Sequence, residues 1–89
     1  MSEQIQLEQQ AEQGKNAEDL RQNPVYKIAM AKMRETCIRG WENSALTDQA
    51  SREAAYFTLK AANSFEVELD KIIGSGAMAS NALKQKKGK

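Results

Sequence analysis

From Pro24 onward the apolar positions fall at helical spacing. Tyr26, Met30, Met33, Cys37 and Trp41 recur in steps of three and four, widened by Ala29 and Ile38. That is the stripe a core-facing helix presents. Lys27, Lys32, Arg34, Glu35, Arg39 and Glu42 fill the other positions, and Glu35 with Arg39 is a favourable pair four residues apart. Asn23-Pro24 marks the start: asparagine is a favoured N-cap, and proline at the first helical position gives up no hydrogen bond. A second stripe, Ala55, Leu59, Ala62, Phe65, Leu69 and Ile72/Ile73, predicts a helix from about Asp48 to Ile73, capped by Thr47 or Asp48. Gly74-Ser75-Gly76 is expected to interrupt it, and residues 77–84 to add about two further turns, either separate or continuing with a kink. No stretch alternates with the period of a strand.

The link between the two long helices is short, roughly three to five residues, and short links make antiparallel neighbours. Folding the chain about residues 45–46 sets Trp41 opposite Ala50, Cys37 opposite Ala54, Met33 near Thr58 and Leu59, Met30 near Ala61 and Ala62, and Tyr26 near Phe65. Large residues on one helix then meet small ones on the other, as a close helix pair requires. Trp41 is expected to plug the closed end, with Gly40 leaving room beside the indole or letting a backbone approach. The fold class expected is all-α: an antiparallel helical hairpin with a short C-terminal third helix and disordered ends, assembling into a helical bundle.

Residues 1–22 read differently. Gln and Glu dominate, and Ile5, Leu7, Ala11 and Leu20 make no sustained stripe. The composition predicts a disordered or weakly helical segment. The chain then divides into residues 1–22, a hairpin domain over 23–83, and a basic tail over 84–89.

Composition narrows the chemistry. Eighty-nine residues make one small domain, and without disulfide or metal such a chain commonly needs a partner surface. Thirteen basic and twelve acidic residues nearly cancel, so no global field draws the chain to nucleic acid or membrane. The charge is nevertheless uneven: residues 1–23 carry five acids and two bases, and residues 77–89 four lysines and no acid. Histidine is absent, which removes the commonest general base and metal ligand. The single cysteine, Cys37, lies on the apolar stripe and is expected to be a buried, inert thiol. Gly74-Ser75-Gly76 lacks the preceding strand and following lysine of a phosphate-binding loop. Glu66, Glu68 and Asp70 are expected on a solvated face. No catalytic residue, cofactor, metal site or small-molecule substrate is therefore expected. Without a signal sequence or a spanning apolar run, the expected location is cytoplasmic, with no membrane partner.

Two features point to partners. The second helix outruns the first, because Tyr26 pairs out near Phe65 while the stripe continues through Leu69, Ile72 and Ile73. With Met78 and Leu83, these residues are the expected protein interface, covered by a second copy or by another protein. The lysines Lys84, Lys86, Lys87 and Lys89 provide a weaker, salt-sensitive route to nucleic acid, with no aromatic or arginine nearby for base readout.

Over residues 23–83 the chain resembles small, poorly characterised proteins of tailed bacteriophages and prophages. The resemblance rests on Asn23-Pro24, Gly40-Trp41 before a short loop, Arg52-Glu53 opening the second helix, and Ile72-Ile73-x-x-Gly76-x-x-Ala79 with Leu83. Members often carry a basic residue after the last glycine, where this chain has Ala77. The resemblance implies virion assembly or DNA packaging and transfers no functional residue. The expected function is a non-enzymatic structural or interaction protein acting through helical oligomerisation in that setting. The alternative is a nucleic-acid-associated accessory protein using the lysine tail.

Overall fold

The computed structural model describes residues 2–87, which form three α-helices: α1 (Glu3–Gln22), α2 (Pro24–Glu42) and α3 (Gln49–Lys87). Local chemistry sets most of the ends. Ser2 caps α1 by accepting the Ile5 N–H at 3.3 Å, and Glu3 and Arg21 complement the dipole at its two ends. Asn23 is extended, with φ −64° and ψ 125°, the conformation that the following proline imposes. Pro24 then opens α2 as the spacing predicts. The connection 43–48 is one residue longer than the upper expectation, and hydrogen bonds Asn43 N–H to Arg39 O and Asp48 N–H to Ala45 O close its two halves at 2.9 Å.

Asp48 starts α3. Its Oδ1 accepts the Ser51 N–H at 3.2 Å. A hydrogen bond from the Ser51 side chain, and then this backbone bond, hold the Asp48 carboxyl below its ordinary range, because both favour the ionised form.

The helices pack in two compact units, the first comprising α1 with residues 67–87 of α3, the second α2 with residues 49–66 of α3. In the first unit, the segment expected to be disordered or weakly helical is a 20-residue helix. Its buried residues are Gly14 and Ala17, with Leu7 and Ala11 half-buried. Such small residues do not register as a hydrophobic stripe, yet they let a neighbouring backbone come close. A Cβ added to Gly14 would lie 2.6 Å from Gly76 Cα, and one added to Gly76 would lie 2.6 Å from Gly14 Cα and 3.0 Å from Gln10 O. Ala79, 2% exposed, and Leu69, 6% exposed, complete this core. On either side of the glycine crossing, Arg21 pairs with Asp70, and Lys86 lies 3.9 Å from Glu3. The Arg21 pairing also places Asp70 in an interhelical contact, whereas the sequence suggested a solvated face.

The crossing also keeps α3 unbroken. α3 does not stop at Gly74-Ser75-Gly76 but runs through to Lys87 as one 39-residue helix. Residues 77–84 are therefore its continuation and no separate helix, and residues 84–87 of the expected tail are its last turn. Two glycines cost about 2 kcal/mol of helix propensity relative to alanine, and the close packing at Gly76 offsets that cost.

In the second unit, Met30, Cys37 and Ala62 are buried, with Tyr26, Arg34, Ala55, Leu59 and Glu66 half-buried between α2 and α3. The Tyr26 and Phe65 rings meet at a centroid distance of 6.3 Å, as expected.

The glycines separate two effects that sequence alone cannot. Nothing lies within 4 Å of a Cβ built on Gly74, so Gly74→Ala should stabilise the protein by up to ~1 kcal/mol. Gly76→Ala and Gly14→Ala should instead destabilise by roughly 1–3 kcal/mol, because backbone must move apart. Urea unfolding of the three variants checks the opposite signs.

Asp48 should also leave a mark on acid stability. Its folded pKa is depressed, so its contribution is complete above the unfolded value, near 3.9, and is lost as pH falls through the lowered folded value. Asp48→Asn keeps a capping oxygen and removes the titration. Thermal melts between about pH 6 and 2 should therefore fall less steeply in the variant than in the parent.

Candidate protein-interaction surface

The side chains between α2 and α3 are not those that the apolar stripe selects. Arg34, not Met33, points inward, reaching Glu66 Oε1 and, at 3.3 Å, Asn63 Oδ1. The Tyr26 hydroxyl donates to Glu66 Oε2 at 3.1 Å. Glu66, expected on a solvated face, is thus the acceptor at the centre of a polar cluster that spans two helices. Met33 lies 37% exposed beside it. A guanidinium with several donors and a bidentate carboxylate satisfy each other where a thioether would find no partner. The sequence signal for this was faint: Arg34 and Glu66 sit at positions that continue the inward steps from Met30 and Ala62.

Trp41 departs furthest from expectation. It is 47% exposed and plugs nothing. Its neighbour is Arg52, whose guanidinium carbon lies 4.5 Å from the ring centroid, in place of Ala50. Arg52 also donates to Ser44 Oγ at 3.3 Å, and Ser44 Oγ donates to Trp41 O at 2.6 Å. The first turn of α3 brings Gln49, Arg52 and Glu53 beside Trp41, so the indole is flanked by polar side chains and not enclosed. Beyond its chain neighbours, nothing lies within 4 Å of a Cβ built on Gly40, so no other segment makes a close approach there.

The consequence is an apolar groove. Cys37, Ile38 and Trp41 of α2 and Ala55, Tyr56 and Leu59 of α3 line a depression of about 300 Å³. A second depression of about 420 Å³ shares Trp41 and Tyr56 and extends to Leu46, Gln49, Arg52 and Glu53. Phe57 stands beside them, its ring centroid 5.7 Å from that of Tyr56. Cys37 is buried at the groove wall.

The residues singled out by sequence as an interface lie in the other unit. Leu69 is buried there, Ile73 and Leu83 are half-buried, Ile72 is 39% exposed and Met78 75% exposed. The overhang of α3 beyond α2 is therefore not left bare: α1 packs on that stretch of the chain. Of the lysines, Lys84 and Lys86 are exposed. Lys87 is the last residue of α3, and Lys89 lies outside the described residues. Among the described residues no cluster of three or more His, Cys, Asp or Glu side chains is placed to hold a metal ion. No helix of these residues is long and apolar enough to cross a membrane.

Neither a protein-family model, nor a curated protein, nor a solved structure matches the chain.

The polar cluster at Glu66 should be worth measuring separately from the groove. Glu66→Ala leaves the Arg34 guanidinium and the Tyr26 hydroxyl without this shared acceptor, and should cost about 1–3 kcal/mol. Tyr26→Phe removes one neutral donor and should cost about 0.5–1.5 kcal/mol. Denaturant unfolding of both single variants and the double variant measures their coupling.

Proposed function

We propose that the chain is a non-enzymatic structural protein that acts through helical oligomerisation, with α2 and α3 closed as an antiparallel hairpin that joins others in a larger helical bundle. The observation that carries this reading is the imbalance of the second unit. Three apolar side chains are buried in it, while Val25, Ile28, Met33, Ile38, Trp41, Leu46, Tyr56, Phe57 and Phe65 remain 37% to 89% exposed. So small a unit, with no disulfide, has few means of stability other than a partner surface. Contacts that pair Tyr26 with Phe65, Arg34 with Asn63 and Trp41 with Arg52 support the antiparallel sense, since one residue number rises as the other falls. The setting, assembly of a tailed-phage particle or packaging of its DNA, rests on the resemblance of residues 23–83 alone.

Sedimentation velocity over a wide concentration range tests the reading. The weight-average mass should rise above the single-chain 9.9 kDa as concentration increases. A chain that stays at the single-chain mass throughout would remove self-assembly from the proposal.

A further inference from the structure

We infer that the Trp41–Tyr56 groove is closed by the same groove of a second copy of this chain, across a twofold axis. The inference rests on the oligomeric reading above and assigns it a surface. That surface differs from the Leu69–Leu83 stretch that the sequence suggested.

The amount of apolar surface fits. Ile38, Trp41, Leu46, Tyr56 and Phe57 are 47% to 89% exposed and form one continuous patch through the two depressions and the Tyr56–Phe57 contact. At roughly 150–250 Å² per large side chain, they present about 600 Å² of apolar area. The largest patch on an ordinary monomer reaches about 300–600 Å². A stable interface takes about 800 Å² from each partner, somewhat more than half of it apolar. The patch therefore covers one partner's apolar share of about 450 Å² and exceeds it by about a third.

The shape fits a second copy. A twofold contact is made by one surface against itself, so that surface must carry both the hollow and what fills it. The hollow of about 300 Å³ between Trp41 and Tyr56 takes one large apolar side chain. Leu46, 89% exposed, and Phe57, 64% exposed, project from the same patch and provide it.

The charge fits too. Arg52 lies over Trp41, Lys60 Nζ lies 5.7 Å from the Tyr56 ring centroid, and Glu53 lines the second depression. On α2, the Glu35–Arg39 pair at 3.4 Å flanks Ile38. A rim of both signs can meet its opposite twice across a twofold axis. A nucleic acid or an acidic peptide would face Glu53 and Glu35 with like charge.

The test is sedimentation equilibrium of the full chain with Leu46→Glu, Tyr56→Glu and, in the other unit, Met78→Glu, alongside far-UV circular dichroism and iodide quenching of Trp41. The parent should reach the mass of two chains. Leu46→Glu and Tyr56→Glu should raise the dimer dissociation constant by roughly 30-fold or more, and Met78→Glu should leave it unchanged. Trp41 emission should shift to the blue and resist iodide as the parent associates. If Tyr56→Glu loses helicity, Leu46→Glu decides, because its site lies between helices and is almost wholly exposed. Association undiminished in the folded groove variants, lost with Met78→Glu instead, or growing beyond two chains overturns the groove assignment and leaves the oligomeric reading standing. A single-chain mass at every concentration, with Trp41 open to iodide, overturns both.

Discussion

The contact between Gly14 and Gly76 governs the first unit, because no side chain, not even a methyl group, fits between the two backbones there. Close approach replaces the large apolar side chains that the N-terminal segment lacks. It gives Ala17 and Ala79 partners at short range, so that small groups bury well and dispersion contacts accumulate. It sustains α1 in a segment whose composition alone would not repay the entropy of ordering it. It also carries α3 through a glycine-rich stretch that would end an isolated helix. Leu69 then has a cover within the chain, which withdraws the strongest sequence argument for placing an interface on that stretch.

The second unit is organised on a different principle. A charged and hydrogen-bonded group, Arg34 with Glu66, Asn63 and Tyr26, occupies the space between its helices. Polar groups in such a place specify alignment more than they add stability, because each must find its own partner. Their presence turns apolar residues outward. Met33, Ile38, Trp41, Tyr56 and Phe57 are all more than a third exposed for this reason and because the helix pair is too thin to enclose them. Two helices have one shared face, and every apolar residue off that face is left to solvent or to a partner. The groove at Trp41 and Tyr56 is the direct outcome.

The two units thus divide the roles of a small chain. One closes through small residues yet leaves Ile5, Leu20, Val67, Ile72 and Met78 39% to 75% exposed; the other leaves nine large apolar residues exposed, with Trp41, Tyr56, Phe57 and Phe65 among them. The oligomeric reading follows from this inequality, and the mixed charge around the groove favours a second copy of the chain over a partner of one sign. Lys84 and Lys86 lie apart from this surface in the sequence, near the end of α3, where positive charge suits the helix dipole. That placement gives them a structural use that needs no nucleic acid.

Several features were legible in the residues alone: the all-helical class, the start of α2 at Pro24, a capped start of α3 at Thr47 or Asp48, and the meeting of Tyr26 with Phe65. Each of these depends on residues a few positions away, or on a pairing that follows from a short loop, so local rules suffice. Packing settled the rest: residues 3–22 are a docked helix, α3 passes through Gly74-Ser75-Gly76, Arg34 points inward and Trp41 lies half in solvent. These depend on what a distant segment supplies. Glycine lowers helix propensity wherever it stands, and whether it also permits a close crossing is settled by the residue opposite. A tryptophan at an apolar position is buried only if its neighbours are apolar as well, and here the turn that meets Trp41 presents Gln49, Arg52 and Glu53.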